Sequence, residues 1–197
     1  MKALSFNRNF YFEFSNFYEA PVAWRGITWR NAECAFQCAK ACDDEFGYHA
    51  EMIRDLIGAK AKSYGRTAIS LRTDWEQIKH DVMLKVVRAK FQQNDELAEL
   101  LKSTGDQFII EDTTAWHDNT FGRCSCPKCV MQTAENSLGN ILMLVRAELR
   151  GEDSCFVSFE DYREEIYRVN LLDKESVNAV VDKMHASSWF SVIRSII

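Results

Sequence analysis

Residues 32–44, AECAFQCAKACDD, constrain the fold of this chain more than any other stretch, because a helix written in them has almost no polar face. Asn31, just before, is a residue type that caps a helix N-terminus with its side chain. At roughly 100° per residue, Gln37 lies about 40° from Glu33, Lys40 about −20° and Asp44 about 20°. Every other position up to Cys42 is Ala, Cys or Phe. A surface helix shows the reverse, an apolar stripe under a broad polar face. This helix therefore belongs inside, with one narrow seam of Glu33, Gln37 and Lys40. Either the seam simply meets water, or it lines a water-filled cleft. A buried carboxylate is costly unless paired, and the first turn of a helix carries positive potential, so Glu33 is the first candidate site residue. Cys34, Cys38 and Cys42 share another face and read as small core thiols.

Elsewhere the periodicity is more ordinary. Trp75, Ile78, Val82, Val86 and Ala89 recur at helical spacing and predict a helix over 74–92. Shorter helices are expected near 48–57, 59–66, 95–102 and 135–150. Phe10–Phe14 (FYFEF) alternates aromatic and other residues and predicts a strand. Val22–Trp24 and Ile27–Trp29 flank Arg25-Gly26 as a short hairpin, and Phe108–Ile110 predicts a further strand. The fold class is α+β, a mainly helical single domain with a small sheet, over residues 1–150. Gly151-Glu152-Asp153 is a polar break. Residues 151–197 are expected to form a C-terminal extension packed on the core, with a helix near 173–186.

Composition narrows the setting. Seven cysteines without the apolar run of a signal peptide predict a reducing, cytoplasmic location. No apolar stretch is long enough to cross a bilayer, so no membrane partner is expected. With 29 acids against 24 bases, the net charge of −5 argues against sequence-blind coating of nucleic acid. Cationic contacts are expected to be confined to a pocket. Oligomeric state leaves no mark in the sequence.

Two further runs carry chemistry. Glu111 to Gly122 reads EDTTAWHDNTFG, in which Glu111 and Asp118 sit beside Trp116 and Phe121. Such a loop presents carboxylates next to aromatic planes, which stack a nucleobase at roughly 1–3 kcal/mol per base. Cys124-Ser-Cys126-Pro-Lys-Cys129 is either a set of free thiols in a loop or a zinc knuckle. In the knuckle, Cys124, Cys126 and Cys129 are ligands and His117 or Cys155 supplies the fourth. Zinc held there would be structural, and no cofactor is expected to be required for catalysis.

Several segments, taken in order, resemble the NADAR (YbiA-like) family. They are Ser15-Asn16-Phe17-Tyr18; Gly26-Ile27-Thr28-Trp29 with Ala32-Glu33 and Gln37-Cys38-Ala39-Lys40; and Ala59-Lys60 with Gly65-Arg66. Then come Arg72-Thr73-Asp74-Trp75-Glu76, Ala89-Lys90-Phe91, and Leu100-Leu101 with Thr104-Gly105. Glu111 ahead of Asp118-Asn119-Thr120-Phe121-Gly122, and Asn136-Ser137-Leu138-Gly139 with Leu142-Met143 and Arg146, complete the series. The family more often carries Trp at the position of Phe121, so a stacking face is kept and an indole donor lost.

The resemblance implies an N-glycosidase domain over 1–150. One branch of the family removes ADP-ribose from modified guanine in DNA, undoing a toxin's mark. Another cleaves phosphorylated intermediates of riboflavin synthesis and releases ribose 5-phosphate. The expected partner is thus an ADP-ribose-containing substrate, including ADP-ribosylated DNA. A non-catalytic ADP-ribose reader is the alternative from a different class. Breaking a C1′–N bond gathers positive charge on the sugar, which a fixed carboxylate stabilises. The implied catalytic residues are Glu33, Asp118 and Glu111. Asn16, Phe17, Trp29, Gln37, Lys40, Arg66, Arg72, Phe121, Gly122, Asn136 and Gly139 are expected to bind substrate, with Lys60 a weaker candidate for phosphate.

Overall fold

The computed structural model describes residues 3–152, so the predicted helix at 173–186 and Cys155 lie outside the described residues. In chain order the elements are β1 (Ala3–Phe6), a 3-10 turn (Phe12–Phe14), β2 (Val22–Trp24), β3 (Ile27–Trp29), α1 (Ala32–Cys38) and α2 (Asp43–Ile53). There follow α3 (Gly58–Thr67), α4 (Trp75–Gln92), α5 (Asp95–Ser103), β4 (Phe108–Glu111) and α6 (Ser137–Leu149). The class is α+β and mainly helical, as expected, with the strands in two small two-stranded sheets. Among the described residues, contacts group Arg8–Ala98 into one compact unit and residues 3–7 with 99–152 into another, the division falling within α5.

In the Arg8–Ala98 unit, β2 and β3 pair antiparallel with Val22 opposite Trp29. Arg25 and Gly26 both take positive φ (52° and 74°), the pair of left-handed residues that a tight two-residue hairpin needs. α1 is buried at all seven of its positions and packs on α2, α3 and α4. Asn31 caps it as expected, its side chain accepting from the Cys34 N–H at 3.0 Å. The helix ends five residues short of Asp43. The Lys40 carbonyl is taken by the Arg72 N–H (2.9 Å), and Cys42 turns extended as N-cap of α2, whose first turn collects Asp43, Asp44 and Glu45. Asp44 is therefore exposed on α2 and does not belong to the seam of α1.

The FYFEF strand does not form. Tyr11 is left-handed (φ 49°), and the chain closes a 3-10 turn through the Phe14 N–H to the Tyr11 carbonyl. Phe14 alone is fully buried, with its ring 6.1 Å from Phe91, while Phe10 and Tyr11 are exposed. With no strand to pair with, aromatic alternation gave way to burying the one side chain that reaches the core.

In the other unit β1 and β4 pair in parallel, Phe6 opposite Glu111, and α6 packs on β4. Gly139 makes this possible, since a Cβ there would overlap the Ile109 carbonyl and Asn136. The Asn136 side chain links the same two elements, donating to the Ile109 carbonyl (2.8 Å) and accepting from the Glu111 N–H (3.1 Å). Arg146 is buried and holds Thr104 and the Gln107 carbonyl. No helix among the described residues is long and apolar enough to cross a membrane.

Candidate active site

The seam of α1 is the core of a charged cluster inside the Arg8–Ala98 unit. Glu33 is only 5% exposed and accepts a hydrogen bond from Gln37 Nε2 at 2.8 Å, one helical turn away. Burial pushes the Glu33 carboxyl above its ordinary range, while the Gln37 bond and the charges of Lys62, Lys40 and Arg66 pull the other way. Lys40 is lowered by burial and by Lys62 and Arg66, with Glu33 opposing. One carboxylate thus shares its surroundings with three cations, an arrangement in excess positive charge. Lys62 escaped the sequence reading. It lies on α3, four residues before Arg66 and four after Gly58, so only helical phase on that second element pointed to it.

Close approach of α3 to α1 depends on glycine. A Cβ on Gly65 would overlap the Gln37 amide, and one on Gly58 would meet Phe17 at 2.7 Å. Gly65→Ala is therefore expected to push Gln37 off Glu33, removing a hydrogen bond to a charged group. Such bonds contribute about 1.5–3 kcal/mol, or roughly tenfold to a hundredfold in kcat/KM. Alanine favours the helix by about 1 kcal/mol, so thermal melting should fall far less than activity. An unaltered kcat/KM in this variant would remove Gln37 from the site.

Asn16 and Phe17 arrive from the preceding loop. The Asn16 carbonyl accepts from the Glu33 N–H at 3.0 Å, and Lys62 Nζ stands 5.8 Å from the centre of the Phe17 ring. Asn16 Oδ1 and Gln37 Oε1 are buried acceptors with no hydrogen-bond partner among the described residues. The loop is held from below by Lys90 on α4, fully buried, whose Nζ donates to the Glu13 (2.6 Å) and Ser15 (2.8 Å) carbonyls. Burial pushes this ammonium down to about 7.

Other expected contributors of this unit are placed differently. Trp29 is fully buried, its Nε1 donating to the Trp24 carbonyl (2.9 Å) and its ring edge-on to Phe46. It is a core residue with no face to offer a substrate. Arg72 forks onto Asp74 through Nε (2.6 Å) and Nη2 (3.1 Å), so the geometry that would grip a phosphate is already taken by a carboxylate. Arg66 and Lys60 are exposed. Cys34 and Cys38 are buried thiols that burial pushes up to about 12, which makes them packing residues.

Glu111, Asp118, Phe121, Gly122, Asn136 and Gly139 belong to the other unit. Asp118 Oδ1 accepts from the Thr120 (2.9 Å) and Phe121 (3.0 Å) N–H groups, an Asx turn that fixes the carboxylate. Gly122 lies against Thr113 and the Glu111 carbonyl with no room for a side chain. Gly122, Asn136 and Gly139 thus serve the backbone around Glu111, at the end of β4, and the loop that follows it to Asp118. In the same loop the His117 ring nitrogen and the sulfurs of Cys124, Cys126 and Cys129 all lie within 4.8 Å of one another.

The NADAR domain model matches residues 5–150. The chain belongs to the NADAR domain family. Among relatives of this NADAR chain, N-glycosidase YbiA of Escherichia coli is 35% identical over 143 residues, covering 71% of this chain and 82% of YbiA. N-glycosidase Npun_R5314 of Nostoc punctiforme is 30% identical over 143 residues, covering 70% of this chain and 85% of that protein. A riboflavin biosynthesis protein of Vibrio vulnificus is 32% identical over 140 residues, covering 69% of this chain and 35% of that longer protein. The NMR structure of E. coli YbiA matches with a TM-score of 0.64 at 33% identity, over 76% of this chain and 85% of YbiA.

Proposed function

We propose that this NADAR protein is a hydrolase of N-glycosidic bonds that acts on a ribose bearing phosphate. The observation that carries the reading is Glu33, a buried carboxylate hydrogen-bonded by Gln37 and surrounded by Lys40, Lys62 and Arg66. Names borne by the relatives YbiA and Npun_R5314 support the bond type.

Each group has a task in this reaction. Departure of the base leaves an oxocarbenium-like sugar, and Glu33, fixed by Gln37 and by the Asn16 carbonyl on its N–H, stabilises that charge or takes a proton from the attacking water. The cationic rim receives the phosphate, which compensates the excess positive charge. The orphaned Asn16 Oδ1 and Gln37 Oε1 accept from ribose hydroxyls. Phe17 offers a ring face beside Lys62.

Within this class the substrate is ADP-ribose joined to guanine in DNA, released as free ADP-ribose. With a net charge of −5, DNA is engaged at the rim of the site through an unpaired or flipped base. A second reading, hydrolysis of a phosphorylated riboflavin intermediate, is favoured by the relative of V. vulnificus and by a chloroplastic riboflavin biosynthesis protein of Zea mays, 29% identical over 134 residues. Incubation with each substrate and mass spectrometry of the products separates them. Free ADP-ribose is the expected product; ribose 5-phosphate alone would move the assignment to the second substrate. Tight ADP-ribose binding with neither product would overturn hydrolysis and leave a reader module.

A further inference from the structure

The geometry points to a structural zinc site made by His117, Cys124, Cys126 and Cys129, which clamps the loop between β4 and α6. This inference does not rest on the glycosidase reading. Residues 112–136 contain no helix or strand, far more chain than a compact domain leaves irregular without a reason. The middle of that segment nevertheless has an interior: Cys124 is 2% and Cys129 8% exposed.

Distances within the cluster fit a tetrahedral ion. His117 Nδ1 lies 3.3 Å from the Cys124 sulfur, 3.4 Å from that of Cys126 and 3.7 Å from that of Cys129. Zinc bonds of ~2.3 Å to sulfur and ~2.0 Å to nitrogen, at a tetrahedral angle, place nitrogen and sulfur about 3.5 Å apart. The backbone is bent to the same end. His117 takes a positive φ of 60°, a conformation that side chains avoid without compensation. After Cys126 the chain turns tightly, the Cys129 (3.0 Å) and Val130 (2.9 Å) N–H groups both bonding the Cys126 carbonyl.

Three thiols and one imidazole, with no open position, describe a closed structural centre. On binding, the three thiols release their protons and the imidazole coordinates as the neutral base, leaving the site with a net charge of −1. Its mechanical output is local. The Asn119 side chain accepts from the Cys124 N–H (2.9 Å), and Asp118 lies directly between that residue and His117. The ion therefore fixes the ends of the segment that holds the Asp118 turn.

The test is metal analysis of the full chain, purified without a polyhistidine tag under reducing conditions and then incubated with zinc and desalted. About one zinc per chain is expected, with Cys126→Ser losing it and Cys42→Ser, outside the cluster, retaining it. Cobalt in place of zinc should give the visible bands of a tetrahedral thiolate site in the native chain and not in Cys126→Ser. Less than ~0.2 zinc per chain after this loading would overturn the site, as would equal zinc content in the Cys126→Ser variant.

Discussion

Glu33→Gln is expected to lower kcat on the proposed glycosidic substrate by about a thousandfold while leaving product affinity nearly unchanged. Two unit charges ~4 Å apart in an effective dielectric near 20 interact by about 4 kcal/mol, which is roughly three decades in rate. The substitution keeps the shape of the side chain and its hydrogen bond to Gln37, so binding groups stay where they are. Stability moves in the opposite direction. Burial holds the Glu33 carboxyl above its ordinary range, which means that the folded protein resists carrying this charge. The folded state binds the proton more tightly than the unfolded chain, so this group's contribution falls as pH rises past the unfolded value and is lowest where the carboxyl is ionised. At neutral pH the glutamine variant should melt no lower than the native chain. The same shift places the acid limb of kcat/KM at higher pH than an exposed glutamate would give. Near-normal turnover in the variant, or loss of turnover matched by loss of folding, would sink the role given to Glu33.

The second large effect belongs to Lys90, away from any chemistry. Lys90→Met should destabilise the protein by about 2–4 kcal/mol, because two buried carbonyls lose their donor and only part of that is regained by sparing the ammonium its burial. Its pH signature is specific. The unfolded lysine keeps its proton to its ordinary value of 10.5, whereas the folded one gives it up above about 7. Between those values the unfolded state binds more protons, so this residue makes stability rise with pH, by at most about 1.4 kcal/mol per unit; below the window both states are charged and its slope is zero. Urea denaturation of native and Lys90→Met chains across that window should give curves whose separation grows with pH. Parallel curves would show that Lys90 is not the titrating group. Its functional consequence runs through the loop it holds, since Glu13 and Ser15 precede the Asn16 carbonyl that fixes the Glu33 N–H.

Helical phase within one element was readable in advance, and it located the helix that most constrains the fold. The all-round apolar character of 32–42 required a buried α1, Asn31 required a start, and the seam gave Glu33 and Gln37. The 74–92 periodicity and the Arg25-Gly26 hairpin were legible for the same reason, that short-range geometry fixes which side chains share a face. Pairing between strands distant in sequence was not. β1 is four residues long, and its partner β4 is about a hundred residues further on, a distance over which no local pattern speaks.

What the sequence by itself determined is therefore the family, the helices of the described residues and the charged seam of α1. Only tertiary structure decided their standing. Lys62 joined Glu33 because glycine at 58 and 65 brings α3 against Phe17 and Gln37. Arg72 left the phosphate-binding set because Asp74 holds its fork, and Trp29 became core because the hairpin folds it inward. His117 met three cysteines because a left-handed backbone turns its ring toward them. In each case the outcome depends on which distant groups compete for the same charge, hydrogen bond or volume, and that competition exists only once the chain is folded.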